Sequence, residues 1–453
     1  MRLRDALHIQ RGDVVAFVGA GGKTSALFRL AEELRADGWR VLATTTERLA
    51  SHEIQWAPLA ARLTSGIMPS MIREWLNEHG FVLLYTSENA EQREITGLHS
   101  GMIAELVDSV NSDVLLIEAD GACRLPLKAP YDHEPVIPPD TSLVVPVAGI
   151  DVLGQPLDDA HVYNAARIQA SYGFPAGSEI LPAWVAVTIR DPQLGLRGVP
   201  ESARVVALLN KVPANGYHRG RARRVAQLVL RSPRIDAVAL GAVQDDEPVY
   251  ELQRRVAAVV LAAGLSSRMG GQPKALLPWD SRRTVIEAIV TRLLVARIPE
   301  VIVVTGYRGD DVRRSLANLP VQVVQNPDYA QGEMLSSLQM GLRVMPDSMA
   351  ACLVVMGDQP FLDGRVIEHV LAAYAEGRGE IVVPVCRGER GHPVLIDRRF
   401  WPELLALESG APRDIICRYP EQTALVEVHT DSILRDIDTP EQYRRERLLA
   451  GLR

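Results

Sequence analysis

Cysteine is scarce in this sequence: four in 453 residues, at Cys123, Cys352, Cys386 and Cys417, with no C-x-x-C pair. Neither a zinc knuckle nor a disulfide framework is indicated, and a reducing cytoplasm is the expected location. A basic excess is also lacking. Lys and Arg total 49 against 56 Asp and Glu, a net charge of −7. General nucleic-acid binders show the opposite balance, so no nucleic-acid partner is expected. A local basic pocket for a phosphorylated small molecule stays open. No run of about 18 apolar residues occurs, so no membrane span is expected. The start Met1-Arg2-Leu3-Arg4-Asp5 leads into no signal-peptide stretch. Repeats and low-complexity tracts are absent as well. What remains is an ordinary globular composition, 47% hydrophobic and 23% charged. At roughly 100–200 residues per domain, the length fits two or three domains.

Short β-branched runs alternate with helix-period segments along the whole chain. One series holds Val14–Val18, Val41–Thr45, Val114–Ile117, Leu143–Val147 and Val205–Leu209. A second holds Ala257–Leu261, Val301–Val304, Val321–Val324, Leu353–Met356 and Ile381–Val383. Continuous apolar strands of this kind are buried on both faces, as in parallel sheets flanked by helices. The expected class is α/β. Leu27, Leu30, Ala31 and Leu34 recur at i, i+3, i+4, i+7, and Gly38 supplies a stop, so a helix follows the first strand directly. The stretch 241–255 is polar and acidic around Gln244-Asp245-Asp246-Glu247-Pro248, and a fresh strand begins after it. Two domains are therefore expected, 1–245 and 255–453.

Each expected domain starts with a glycine-rich loop behind its first strand. The first reads Gly19-Ala20-Gly21-Gly22-Lys23-Thr24-Ser25. Glycines let backbone N–H groups face phosphate oxygens, and the next helix adds unpaired N–H groups and a favourable dipole. Lys23 would sit beside the outer phosphates and Thr24 would place a hydroxyl on Mg²⁺, with Gly19, Gly22 and Ser25 completing the cradle. The eight-residue Walker spacing needs Gly at 17, where Phe17 stands, so this is a shortened loop; it resembles that of Mur-type ATP-dependent ligases. ATP or GTP is the expected ligand. Glu118 and Asp120 end a buried strand, where ligands bind in open α/β sheets, although a solvated strand end reads equally well. Thr44-Thr45-Thr46 also ends a strand, and turn chemistry alone would explain it. Asn210-Lys211-Val212-Pro213 looks like the guanine-reading N-K-x-D, but Pro213 stands where the carboxylate belongs. Together with Pro126-Leu127-Lys128-Ala129-Pro130 and Val147–Gly154, these segments resemble the YqeC-like family of selenium-dependent hydroxylase accessory proteins. The loop itself makes this a P-loop-like nucleotide-binding domain in expectation; the resemblance covers about the first 240 residues and implies a role in molybdenum-enzyme maturation.

The second loop is Leu261-Ala262-Ala263-Gly264-Leu265-Ser266-Ser267-Arg268-Met269-Gly270-Gly271-Gln272-Pro273-Lys274. Small residues at Ala262, Ala263 and Gly264 admit a nucleotide close to the backbone. Ser266 can donate to phosphate. Arg268 and Lys274 would stabilise charge on the α-phosphate and on departing pyrophosphate. This run resembles the A-A-G-x-S-x-R-M-G…K signature of MobA-like nucleotidyltransferases, with a Rossmann-like fold implied. The Leu-Ala-Ala-Gly form resembles the molybdenum cofactor cytidylyltransferase branch, which implies CTP. Asp358, in Gly357-Asp358-Gln359-Pro360 at a strand end, is the expected Mg²⁺ ligand. The resemblance implies Asp438, just before Thr439-Pro440, as the second ligand; Asp438 or Thr439 also reads as a helix N-cap. Ser336 and Ser337, on a helix expected to open near Asn326-Pro327…Gly332-Glu333, and His392 in Arg390-Gly391-His392-Pro393 are expected to contact substrate. A lone His is more often structural than a ligand contact. The implied reaction transfers CMP from CTP to molybdenum-loaded molybdopterin, with pyrophosphate released and a molybdenum hydroxylase as eventual client. The competing readings are a nucleotidyltransferase for another phosphorylated small molecule and a non-catalytic cofactor carrier.

Overall fold

The computed structural model describes residues 1–269, 272–330, 334–410 and 412–452; of Ser267 only the backbone is described. The chain divides into two compact units, Met1–Gln253 and Arg254–Arg453.

In the first unit the main strands are β1 (Asp13–Gly19), β2 (Val41–Thr45), β3 (Leu59–Arg62), β4 (Phe81–Tyr85), β5 (Val114–Glu118), β6 (Leu143–Gly149), β7 (Arg204–Asn210), β8 (Ala237–Gly241) and β9 (Val249–Arg254). Among the described residues they form one sheet in the order β9-β8-β7-β6-β1-β5-β2-β4-β3. β1 lies near the middle and pairs in parallel with β5 and β6. Its alternation shows why the run is apolar throughout: Val15 and Phe17 enter one core, Val14, Ala16 and Val18 the other. The helix Lys23–Ala36 lays Leu27, Leu30, Ala31 and Leu34 into the Phe17 core, and Gly38 follows at φ +76°. The acidic stretch at 241–255 is more than a linker. Within it, Val249 and Leu252 are buried and β9 closes the sheet edge. Glu251 is fully buried there because Arg219 and Arg223 both reach it.

The second unit contains β10 (Val256–Ala262), β11 (Val301–Thr305), β12 (Gln322–Gln325), β13 (Ala351–Met356), β14 (Ile381–Cys386), β15 (Glu389–Arg390), β16 (Val394–Asp397) and β17 (Thr423–Glu427). The order is β12-β11-β10-β13-β16-β14-β15, with β17 paired to β14. β10, β11, β12 and β13 run parallel, whereas β16 pairs antiparallel with both β13 and β14. The sheet is thus mixed. Apolar runs buried on both faces predict a central position but not a direction, so β16 escaped the parallel expectation. Val256, Ala258 and Val260 face one core, and Ala257, Val259 and Leu261 face the other.

Candidate active site and a second glycine-rich loop

In the second unit the central strands β10 and β13 end side by side, Leu261 opposite Met356. Their carboxyl ends open into a cleft of about 370 Å³. Leu261, Ala262, Ala263, Gly264, Ser266, Arg268, Lys274, Ser337, Asp358 and Asp438 all line it. Arg268 and Asp438, 170 positions apart, meet here. Lys274 Nζ lies 3.2 Å from Asp358 Oδ2 and also donates to Asp438 Oδ1. Arg268 Nη1 donates to Asp438 Oδ2 at 2.9 Å. Two cations and two carboxylates therefore interlock.

Their protonation equilibria follow from the placement. Burial raises the Asp358 carboxyl above its ordinary pKa, against the pull of Lys274. The hydrogen bond from Lys274 lowers that of Asp438. Burial pulls Lys274 down, but Asp438 and Asp358 outweigh it, and its ammonium is held above the ordinary value.

Local structure explains each position. Thr439 caps the helix Pro440–Leu449, and the Gln442 side chain accepts from the backbone N–H groups of Thr439 and Asp438. Capping by Thr439 leaves the Asp438 carboxylate for the cleft. Ser266 adopts φ +51°, and its Oγ accepts from Lys274 N at 3.0 Å, so the hydroxyl staples the loop to itself. Asn326 donates to Ser336 Oγ at 3.0 Å and Ser337 Oγ at 3.1 Å; Ser337 lines the cleft and Ser336 does not. His392 is not among the lining residues either; its N–H donates to Ile433 O at 3.1 Å, and burial lowers its pKa. The helix with the serines is described from Met334; Gly332 and Glu333, like Gly270 and Gly271 of the loop, lie outside the described residues. Sequence reasoning missed Tyr307, Val312, Tyr329, Met334 and Met356 on the walls. Tyr307 lies two residues beyond the end of β11, which neighbours β10, and that strand-end position was the available signal.

The donor set fits Mg²⁺. Asp358 Oδ1 is buried without a hydrogen-bond partner. Among the described residues no cluster of three or more His, Cys, Asp or Glu would hold a metal by itself. A carboxylate pair completed by substrate phosphates and water is the coordination Mg²⁺ favours.

In the first unit, Gly19–Ser25 joins β1 to the helix Lys23–Ala36, with Gly19, Gly21 and Gly22 at φ +88°, +84° and +120°. A Cβ at Gly21 would lie 2.2 Å from Gly149 N, and one at Gly22 2.3 Å from Asn210 Nδ2. Side chains cannot enter a loop this close to two neighbouring strands. Lys23 is only 4% exposed; its Nζ donates to Gly19 O at 2.8 Å and lies 3.2 Å from Asp120 Oδ1 and 3.7 Å from Glu118 Oε1. Thr24 donates to Glu118 Oε2 at 2.8 Å, and Gly19 N to Asp120 Oδ2 at 3.0 Å. Ser25 stands half-buried in the first helical turn. Lys128 extends the chain of charges, 3.4 Å from Asp120 and 3.0 Å from Glu134. Burial pushes the Glu118 carboxyl up to about 7 against the opposing pull of Lys23. Thr45 donates to Glu118 O and Thr46 to Val136 O, so these two hydroxyls serve the fold.

Two known families meet in this chain. The family described as YqeC protein matches residues 15–166, and the family described as MobA-like NTP transferase domain matches residues 258–423. YqeC of Escherichia coli K12 is 34% identical over 202 residues, spanning 45% of this chain and 77% of that protein. The molybdenum cofactor cytidylyltransferase of Escherichia coli K12 is 29% identical over 191 residues, spanning 41% of this chain and 92% of that protein. The nicotine blue oxidoreductase of Paenarthrobacter nicotinovorans is 33% identical over 205 residues, spanning 42% and 95% respectively. The chain belongs to the YqeC family in its first unit and to the MobA-like NTP transferases in its second. It is a nucleotidyltransferase. The relatives of the second unit carry different named activities, so likeness alone does not select the substrate. No described helix is long and apolar enough to cross a membrane.

Proposed function

We propose that the second unit transfers CMP from CTP to the terminal phosphate of molybdenum-loaded molybdopterin, with release of pyrophosphate. The observation that carries this reading is the convergence of Arg268, Lys274, Asp358 and Asp438 on one cleft floored by Leu261–Gly264. The Leu-Ala-Ala-Gly sequence and the cytidylyltransferase relative favour CTP over GTP.

The acceptor phosphate oxygen attacks the α-phosphorus in line; the bond to the bridging oxygen breaks and pyrophosphate leaves with its electron pair. A phosphate monoester is largely ionised near neutral pH, so no general base is required. Asp358 and Asp438 would hold Mg²⁺, which neutralises triphosphate charge and orients the phosphates. In the free cleft the two cations and two carboxylates cancel. With substrate bound, Lys274 and Arg268 turn from the carboxylates to the phosphates, where they stabilise charge that grows in the transition state. Arg268 suits a forked contact with phosphate oxygens and Lys274 a point contact. Ser266 holds the loop in shape, and Ser337 faces the substrate. The first unit holds the phosphates of a nucleotide such as ATP or GTP at Gly19–Ser25 and serves as an accessory in maturing a molybdenum hydroxylase.

The test is pyrophosphate release by the full chain with Mg²⁺ and molybdenum-loaded molybdopterin, with CTP, GTP and ATP compared in parallel. Release with CTP at least tenfold above the others is expected. No release with any nucleotide, from substrate that a control enzyme accepts, overturns the reading.

A further inference from the structure

The first unit has features of a phosphate site beyond its helix N-terminus. Asp120 is 2% exposed, and its Oδ1 has no hydrogen-bond partner although it faces the Lys23 ammonium at 3.2 Å. A buried carboxylate oxygen with spare capacity, beside a buried lysine and a glycine loop, suits a phosphate ligand that arrives with a divalent cation.

The place where a base would be read lies two strands away, at the carboxyl end of β7, since β7 pairs with β6 and β6 with β1. Its residues are already committed. Asn210 is 3% exposed; its Nδ2 donates to Gly21 O at 2.8 Å and its Oδ1 accepts from Val243 N at 3.1 Å. This asparagine ties the glycine loop to the turn that follows β8 and is spent in doing so. Val212 is buried and its N–H donates to Gly241 O at 2.9 Å. Pro213 has neither an N–H nor a polar side chain. Lys211 is half-exposed, with its Nζ 2.8 Å from Asp151 Oδ2, so that carboxylate is neutralised too. What Lys211 presents is an aliphatic stem and a cation, which can cover the face of any base without reading its edge.

We propose that the first unit selects nucleotides by their phosphates and is blind to the base: ATP, GTP and CTP bind it with near-equal affinity. The proposal rests on the reading of Gly19–Ser25 as a phosphate loop. One consequence is that the CTP consumed by the second unit also occupies the first.

The experiment is calorimetric titration of the full chain with ATP, GTP, CTP and inorganic triphosphate in Mg²⁺, set against the Lys23→Met chain. The binding lost in Lys23→Met reports the first unit, and a urea-unfolding curve and circular dichroism spectrum matching those of the unaltered chain show that this unit of the variant is folded. Lys23-dependent binding within threefold for the three nucleotides supports the proposal. A preference of tenfold or more for one base overturns it and leaves the phosphate-loop reading standing. Absence of any Lys23-dependent binding overturns both. The Pro213→Asp chain supplies a second arm. Placing a carboxylate there is expected to raise GTP at least tenfold over ATP; unchanged, equal binding overturns the placement of the base at Asn210–Pro213 and the proposal with it.

Discussion

The two glycine-rich loops solve similar problems with opposite packing. In the first, the backbone of β6 closes on Gly19 and Gly21, the Asn210 side chain closes on Gly22, and the lysine is buried between two carboxylates. In the second, a Cβ at Gly264 would meet nothing within 4 Å, and the Arg268 side chain is 72% exposed. The first loop is a fixed mould built into the sheet. The second is an open rim whose charged groups are held by partners they can exchange.

The largest expected contrast is catalytic. Lys274→Ala should lower pyrophosphate release by about 10²–10³-fold in kcat, as loss of a charge-stabilising group does. Lys23→Ala should leave that rate within about twofold, because its contacts lie in the first unit. Equal losses would erase the division of labour between the loops.

Stability should divide them next. Gly21→Ala places a Cβ against Gly149 backbone at φ +84° and should destabilise the first unit by about 2–4 kcal/mol in urea unfolding. Gly264→Ala has open space and no positive φ, so its stability should change by less than about 0.5 kcal/mol.

A pH effect should mark the first unit. Glu118 titrates at about 7 in the folded protein and near 4.5 in its ordinary state. Between these values the native state keeps a proton that the unfolded state has released. Stability therefore falls as pH rises from about 4.5 to 7 and levels off above, by at most about 3 kcal/mol. Glu118→Gln should flatten that interval in unfolding curves measured from pH 4 to 8 (on the order of one proton's linkage).

The smallest difference lies within the second cleft. Ser337→Ala should raise the KM for nucleotide or acceptor by a few-fold, since Ser337 lines the wall, whereas His392→Ala and Ser336→Ala should change it less. The reverse order would place the substrate away from the cleft described here.

Much of this was legible in the residues. Strand β1, its loop and the helix behind it follow from an apolar run, a glycine cluster and an i, i+3, i+4, i+7 stripe, all local signals. Lys274, Asp358 and Asp438 stand out in the sequence because each lies in a short motif, and the structure sets all three on one cleft. Other features were not legible. Ser266 reads as a phosphate donor, yet its hydroxyl is used on Lys274 N. Asn210 opens a segment that looks like N-K-x-D without its carboxylate, and its side chain fastens the loop. A hydroxyl or amide has several possible partners, and sequence does not rank them.

The sequence by itself determined the α/β class, the two loops and the identity of the charged groups, because those depend on periodicity and on residue type at short spacing. Tertiary structure alone decided that Lys274 bridges two carboxylates 84 and 164 residues away, and that Lys23 sits in an alternating row of buried charges. Such meetings depend on which strands lie side by side, and strand order is set by packing of the whole sheet rather than by any segment of the chain.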